Sequence, residues 1–378
     1  MINKKLYTLL LGLACTLTTL AIPYCDVRKF SILDGLAANN ISDIQQSDDK
    51  LMWFGTWNGL SYYDGYSFKT FRDIPTSRVL TTNRINFLRP NIFNDIWFVT
   101  YDNRPYKYDT HECCFKDICS KLNDMFKIDL RVKNIYCLKS GVTWLTTMDG
   151  DYAIRITYEK DRTPHYELIK AGTKGFKGGD IWFIKDDDQN REWILSKKGT
   201  YIYGSKFSTS IPFKWIRQVG NNFYLATMDG KLAIYDNKNH FSMMPLPAGV
   251  TKINELKNTG YQLLIATNLG VVVYNTRSFK TTVVNVQSPN QPVAEVQKIY
   301  TDYKNLIWVF TDGQGVTTIN PNTLETRWLY ADQPNRSDRT ESDKYFIMQD
   351  EHNTLWIVPN QGTFSYYDRK AGKLVPFY

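Results

Sequence analysis

The sequence predicts an all-β chain, a β-propeller of four-stranded antiparallel blades, on three observations. A short apolar run with an aromatic or large aliphatic residue inside it, usually closing on Thr or Ser, recurs eight times. The spacing, roughly 30 to 50 residues, is the period range of propeller blades. A Gly-containing turn and a strand-like segment follow the runs, as in Asp149-Gly150-Asp151-Tyr152 and Asp229-Gly230-Lys231-Leu232. Gly after Asp or Asn suits the positive φ of tight hairpin turns. Third, aromatic residues make up 15% and hydrophobic residues 43% of 378 residues, which excludes a disordered chain. Charged residues at 22%, with 22 Gly and 14 Pro, exclude coiled-coil and collagen-like chains.

Taken in order, residues 1–24 read as a secretory signal: Lys4 and Lys5 precede an apolar run from Leu6 to Ile22, and polar sequence starts at Cys25 and Asp26. A retained membrane anchor, or a lipid attached at Cys15, are the alternatives. Residues 25–378 are assigned to the propeller. Its blade anchors are Trp53, Trp97, Trp144, Trp193, Tyr224, Leu264, Trp308 and Trp356. Each is expected to pack between neighbouring blades, because a four-stranded blade has two apolar faces and buries both only by stacking. A strand-like segment precedes each anchor by about ten residues, as in Val132–Ile135 and Val296–Ile299. No stretch keeps a capped 3.6-residue apolar period, so helix content should be minor. Eight repeats make a ring of eight if the chain is complete, or a ring of seven plus the start of a second ring if it is a fragment.

The first unit is the sharpest: Gly35-Leu36, Asn40-Ile41, Ile44, Trp53-Phe54-Gly55-Thr56, Gly59-Leu60 and Tyr63-Asp64-Gly65. It resembles the two-component regulator propeller repeat of periplasmic sensor regions in hybrid two-component systems. The resemblance implies tandem propellers ahead of a membrane span and a histidine kinase, and a role in sensing glycan breakdown products. It implies as partners an oligosaccharide, neutral or acidic, a membrane-bound sensor kinase region or second propeller, and a homodimer. Kinase activity would lie in a downstream region outside this chain.

Catalytic motifs are missing from the sequence: no G-x-S-x-G elbow, Walker loop or H-E-x-x-H occurs. Ser47–Trp53 and Asp350–Trp356 resemble the Asp-box hairpins of sialidases, which keeps a secreted polysaccharide-active enzyme as an alternative, beside a protein-interaction scaffold. Asp186–Glu192 offers oxygens for Ca²⁺ but lacks the glycine of a calcium loop and reads as a solvated turn. His111, Cys113, Cys114 and Cys119 lack the paired spacing of a zinc site. A loop disulfide to Cys119 and free thiols are the other readings. No cofactor and no metal are expected. The formal charge of +8 without a dense Lys/Arg stripe does not make a nucleic-acid footprint.

Binding is the chemistry the residues favour. Propeller ligands sit at the channel mouth, lined by innermost strands and the loops that enter and leave them. Trp57, Asn58, Arg84, Tyr101, Arg104 and Lys252 fall on those loops, and Trp182, Trp215 and Arg217 on inner strands. Aromatic faces stack on sugar rings, while Arg and Asn satisfy hydroxyls or carboxylates. For Trp182 and Trp215, packing between blades is the competing role.

Overall fold

The computed structural model describes residues 29–72, 79–236, 240–286, 295–311, 315–329, 345–359 and 364–377. The expected signal segment 1–24 and Cys25 lie outside the described residues. Eight four-stranded antiparallel sheets follow one another, each pairing its strands in chain order. They span 41–71, 85–116, 132–170, 181–209, 215–244, 253–284, 296–329 and 345–376, and are numbered here as blades 1 to 8. The expected repeats and their strand content are both present.

Side chains alternate across a strand, and this alternation builds the seams. All five residues of the second strand of blade 2 (Ile96–Thr100) are buried. Trp97 and Val99 pack toward blade 3, Ile96 and Phe98 toward blade 1. Seven hydrophobic clusters follow this scheme, each spanning two consecutive blades. Burying one indole contributes about 4–6 kcal/mol of gross transfer free energy before ordering entropy is subtracted. Trp53, Trp97, Trp144, Trp193, Tyr224, Leu264 and Trp308 all serve as such seam residues. Trp356 differs: it stacks on Phe364 of its own blade, centroids 4.9 Å apart and planes 8° apart.

The first strands of blades 2, 3, 4, 6 and 7 each bring two aliphatics to the preceding blade. Ile85 and Leu88, Val132 and Ile135, Ile181 and Ile184, Ile253 and Leu256, and Val296 and Ile299 are all buried. Blade 1 carries the same pair at the same register, Ile41 opposite Thr56 and Ile44 opposite Phe54. There they are 42% and 46% exposed, so among the described residues no blade covers that face as the others are covered.

The turn between first and second strands anchors four indoles. Trp53, Trp193, Trp308 and Trp356 donate Nε1–H to Ser47, Asp187, Asp302 and Asp350, at 3.0, 2.9, 3.1 and 2.8 Å. Trp144 reaches across its seam to Glu192 Oε2 at 2.6 Å, and Arg155 pairs with the same carboxylate. The 186–192 segment is a turn as expected, but it is not simply solvated, because Asp187 and Glu192 are buried. Burial pulls the Asp187 carboxyl upward; the hydrogen bonds from Trp193 and Arg191 outweigh it and hold the group below the usual carboxylate range.

Helix is minor, as expected: among the described residues there is one α-helix, α1 (Ile118–Phe126), whose position no sequence signal marked, and a short 3-10 turn at Ile32–Asp34. Helix α1 carries Cys119 into the core, whereas Cys113 sits exposed at a turn with φ 53. Cys113, Cys114, Cys119 and Cys137 are all free thiols, so the loop disulfide is not formed. Burial pushes Cys119 up to about 11 and Cys137 up to about 12, which keeps both protonated. Among the described residues, no group of three His, Cys, Asp or Glu is placed to hold a metal ion.

Candidate functional site

At one end of blades 1 to 4, the hairpin between second and third strands meets the segment that leads into the first. In blade 1, Trp57 N–H bonds Asn40 O; in blade 2, Tyr101 N–H bonds Arg84 O; in blade 3, Met148 N–H bonds Arg131 O. Successive blades are tied at this end too. Gly59 N–H donates to Asn83 O, and Val132 N–H to Asn103 O, at 2.9 and 2.8 Å. The hairpin tip is therefore a repeating, outward-facing position on a rigid frame.

Large side chains occupy that position. Trp57 is 50% and Tyr101 62% exposed, and Met148 and Met228 hold the same place in blades 3 and 5, also exposed. Four solvent-facing apolar side chains at one register are more than scattered surface hydrophobics require. Met148 and Met228 could have been found from the sequence, since each follows the closing Thr and precedes Asp-Gly, but their lack of a polar handle hid them.

Arg84 joins blade 1 to blade 2. Its guanidinium carbon lies 4.0 Å from the Trp57 ring centroid and 3.9 Å from that of Tyr101, so the cation sits between two aromatic rings. Among the described residues, no side-chain hydrogen bond or ion pair of Arg84 occurs. Asp102, beside Tyr101, is already satisfied: it accepts from Thr100 Oγ1 at 2.6 Å and Thr81 Oγ1 at 2.7 Å, with Arg104 Nε at 3.5 Å. Burial works against its charge, yet these hydroxyls and Arg104 keep its carboxyl below the usual range. Asn58 is exposed at the same hairpin, its carbonyl accepting from Arg72 Nε at 3.2 Å.

The profile of the two component regulator propeller family matches residues 35–58, which end on Trp57 and Asn58. Residues 35–58 are thus similar to one two component regulator propeller repeat. Histidine kinase P4 of Formosa agariphila is 38% identical over 48 residues, 13% of this chain and 4% of that protein. The extracellular domain of a hybrid two component system from B. thetaiotaomicron aligns with 91% of this chain and 53% of its own, at 17% identity and a TM-score of 0.43. A streptogramin B lyase aligns over 86% of this chain and 92% of its own, at 16% identity and a TM-score of 0.39. The chain thus spans about half the length of the two-component domain it matches and a small part of the kinase.

Beyond the regulator repeat, the other expected residues stand in different settings. Trp215 is half-buried against the cluster between blades 5 and 6, with Lys214 Nζ 5.4 Å from its ring centroid. Trp182 is half-buried and its carbonyl accepts from Tyr136 OH at 3.3 Å. Arg217 is half-buried, and burial holds its pKa below the usual guanidinium value against the pull of Glu255. Lys252 is ion-paired with Glu295. Contacts gather Trp57, Arg84 and Tyr101, and beside Tyr101 the Asp102–Arg104 pair; none joins Trp182, Trp215, Arg217 or Lys252 to them.

Proposed function

We propose that this chain is the ligand-sensing propeller of a periplasmic or secreted sensor region, working with a membrane-bound two-component kinase and doing no chemistry itself. Its ligand is an oligosaccharide, held at the hairpin end of blades 1 and 2. The observation that carries this is Arg84 clasped between exposed Trp57 and Tyr101, its side chain making no hydrogen bond or ion pair among the described residues. Exposed aromatic surface beside a few fixed polar groups is the usual composition of a sugar site. The match of residues 35–58 to the regulator repeat supports the sensor role. Signalling would follow only from a difference in ligand affinity between two arrangements of the sensor assembly.

A thermal-shift screen of the purified protein against oligosaccharides tests the reading. A melting shift without turnover is expected, and Trp57→Ala or Arg104→Ala should weaken it. Turnover of a glycan would make the protein a polysaccharide-active enzyme instead. A shift untouched by both substitutions would move the site elsewhere.

A further inference from the structure

Resting on that sensing role, we infer that the ligand carries an oxyanion, a uronate carboxylate or a sulfate ester, which docks on the edge of the Arg84 guanidinium. A guanidinium is planar, with five N–H donors in its plane and two flat faces. The Trp57 and Tyr101 rings, at 4.0 and 3.9 Å, cover those two faces. The ring surfaces turned toward Arg84 are therefore taken, and they do not serve as stacking platforms for a sugar. What stays open is the rim of the guanidinium, and the rim binds planar or tetrahedral oxyanions through paired N–H···O bonds.

Two further features favour an external acceptor. The acid next to Tyr101 in sequence, Asp102, is filled by Thr81, Thr100 and Arg104. Clamping between rings also fixes the side chain before binding, so less rotamer freedom is lost when the ligand arrives. Trp57 comes from blade 1 and Arg84 and Tyr101 from the blade 2 region, so the clamp exists only when the two blades are seated together.

Titration calorimetry of the purified protein tests this with three probes: an oligouronide, the same oligomer with its carboxyls reduced to alcohols, and a sulfated oligosaccharide of similar length. The oligouronide or the sulfated probe should bind about tenfold or more tighter than the reduced oligomer. That preference should vanish in Arg84→Gln, shrink in Arg84→Lys, and weaken as salt rises. Which anionic probe binds distinguishes carboxylate from sulfate. If the reduced oligomer binds equally well and Arg84→Gln changes nothing, the oxyanion is wrong and the sensing role stands. If none of the three binds, both fall. Should Arg84→Gln fail to fold, Arg84→Lys and the salt dependence still decide.

Discussion

Four anchor tryptophans give their indole N–H to the residue six places earlier, and Trp97 does not. Its counterpart there is Asn91, whose Oδ1 accepts from Phe93 N–H and Asp95 N–H at 2.9 and 3.0 Å. Asp187 uses Oδ1 identically, for Gln189 and Arg191, and turns Oδ2 to the indole. In Asn91 the turn therefore fixes the amide so that Nδ2 stands where the accepting oxygen should be. Both Nδ2 and Trp97 Nε1 are buried without a partner, an arrangement that costs about 1–3 kcal/mol per group. Asn91→Asp should raise the melting temperature at neutral pH by about 2 °C, measured by calorimetry. The new carboxylate would titrate lower when folded than when unfolded, so the gain is present above about pH 4 and lost on acidification. An unchanged or lower midpoint at pH 7 would show that donor faces donor at no penalty.

The hairpin of blade 1 depends on Gly59, at φ +119. A Cβ there would lie 2.5 Å from the Phe71 carbonyl oxygen, and the backbone N–H ties blade 1 to Asn83. Gly59→Ala is expected to remove about 3 kcal/mol in denaturant unfolding, from strain and contact together; a loss below about 1 kcal/mol would mean the turn tolerates a side chain. The glycine and the Trp-bearing runs were legible because hairpin chemistry and strand period are local. Helix α1 was hidden by being short, ending on Lys127 in the left-handed region where Gly is usual, and following adjacent cysteines. Trp57, Arg84 and Tyr101 were each legible as loop residues, but not as a stack, since their meeting depends on how blades 1 and 2 are seated. Only coordinates could show that Arg84 occupies the ring faces expected to meet a sugar.

At the scale of the molecule, one face is unlike its equivalents. Ile41 and Ile44 repeat the pattern of Ile85 and Leu88, so no sequence signal separates them, yet one pair is exposed and the other buried. Ile44→Lys should therefore leave stability within about 0.5 kcal/mol, whereas Leu88→Lys, placing a charge in the first seam, should abolish folding. Equal damage from both, read by circular dichroism melts, would mean that something covers blade 1 in solution. In a stack where stability adds seam by seam, a blade whose first-strand aliphatics stand exposed among the described residues is the natural place for the row to fray. The Trp57–Arg84–Tyr101 clasp bridges that blade to blade 2. A molecule seated on it would act as a rivet, and occupancy should be readable as slowed amide exchange across residues 41–71, far beyond the atoms it touches.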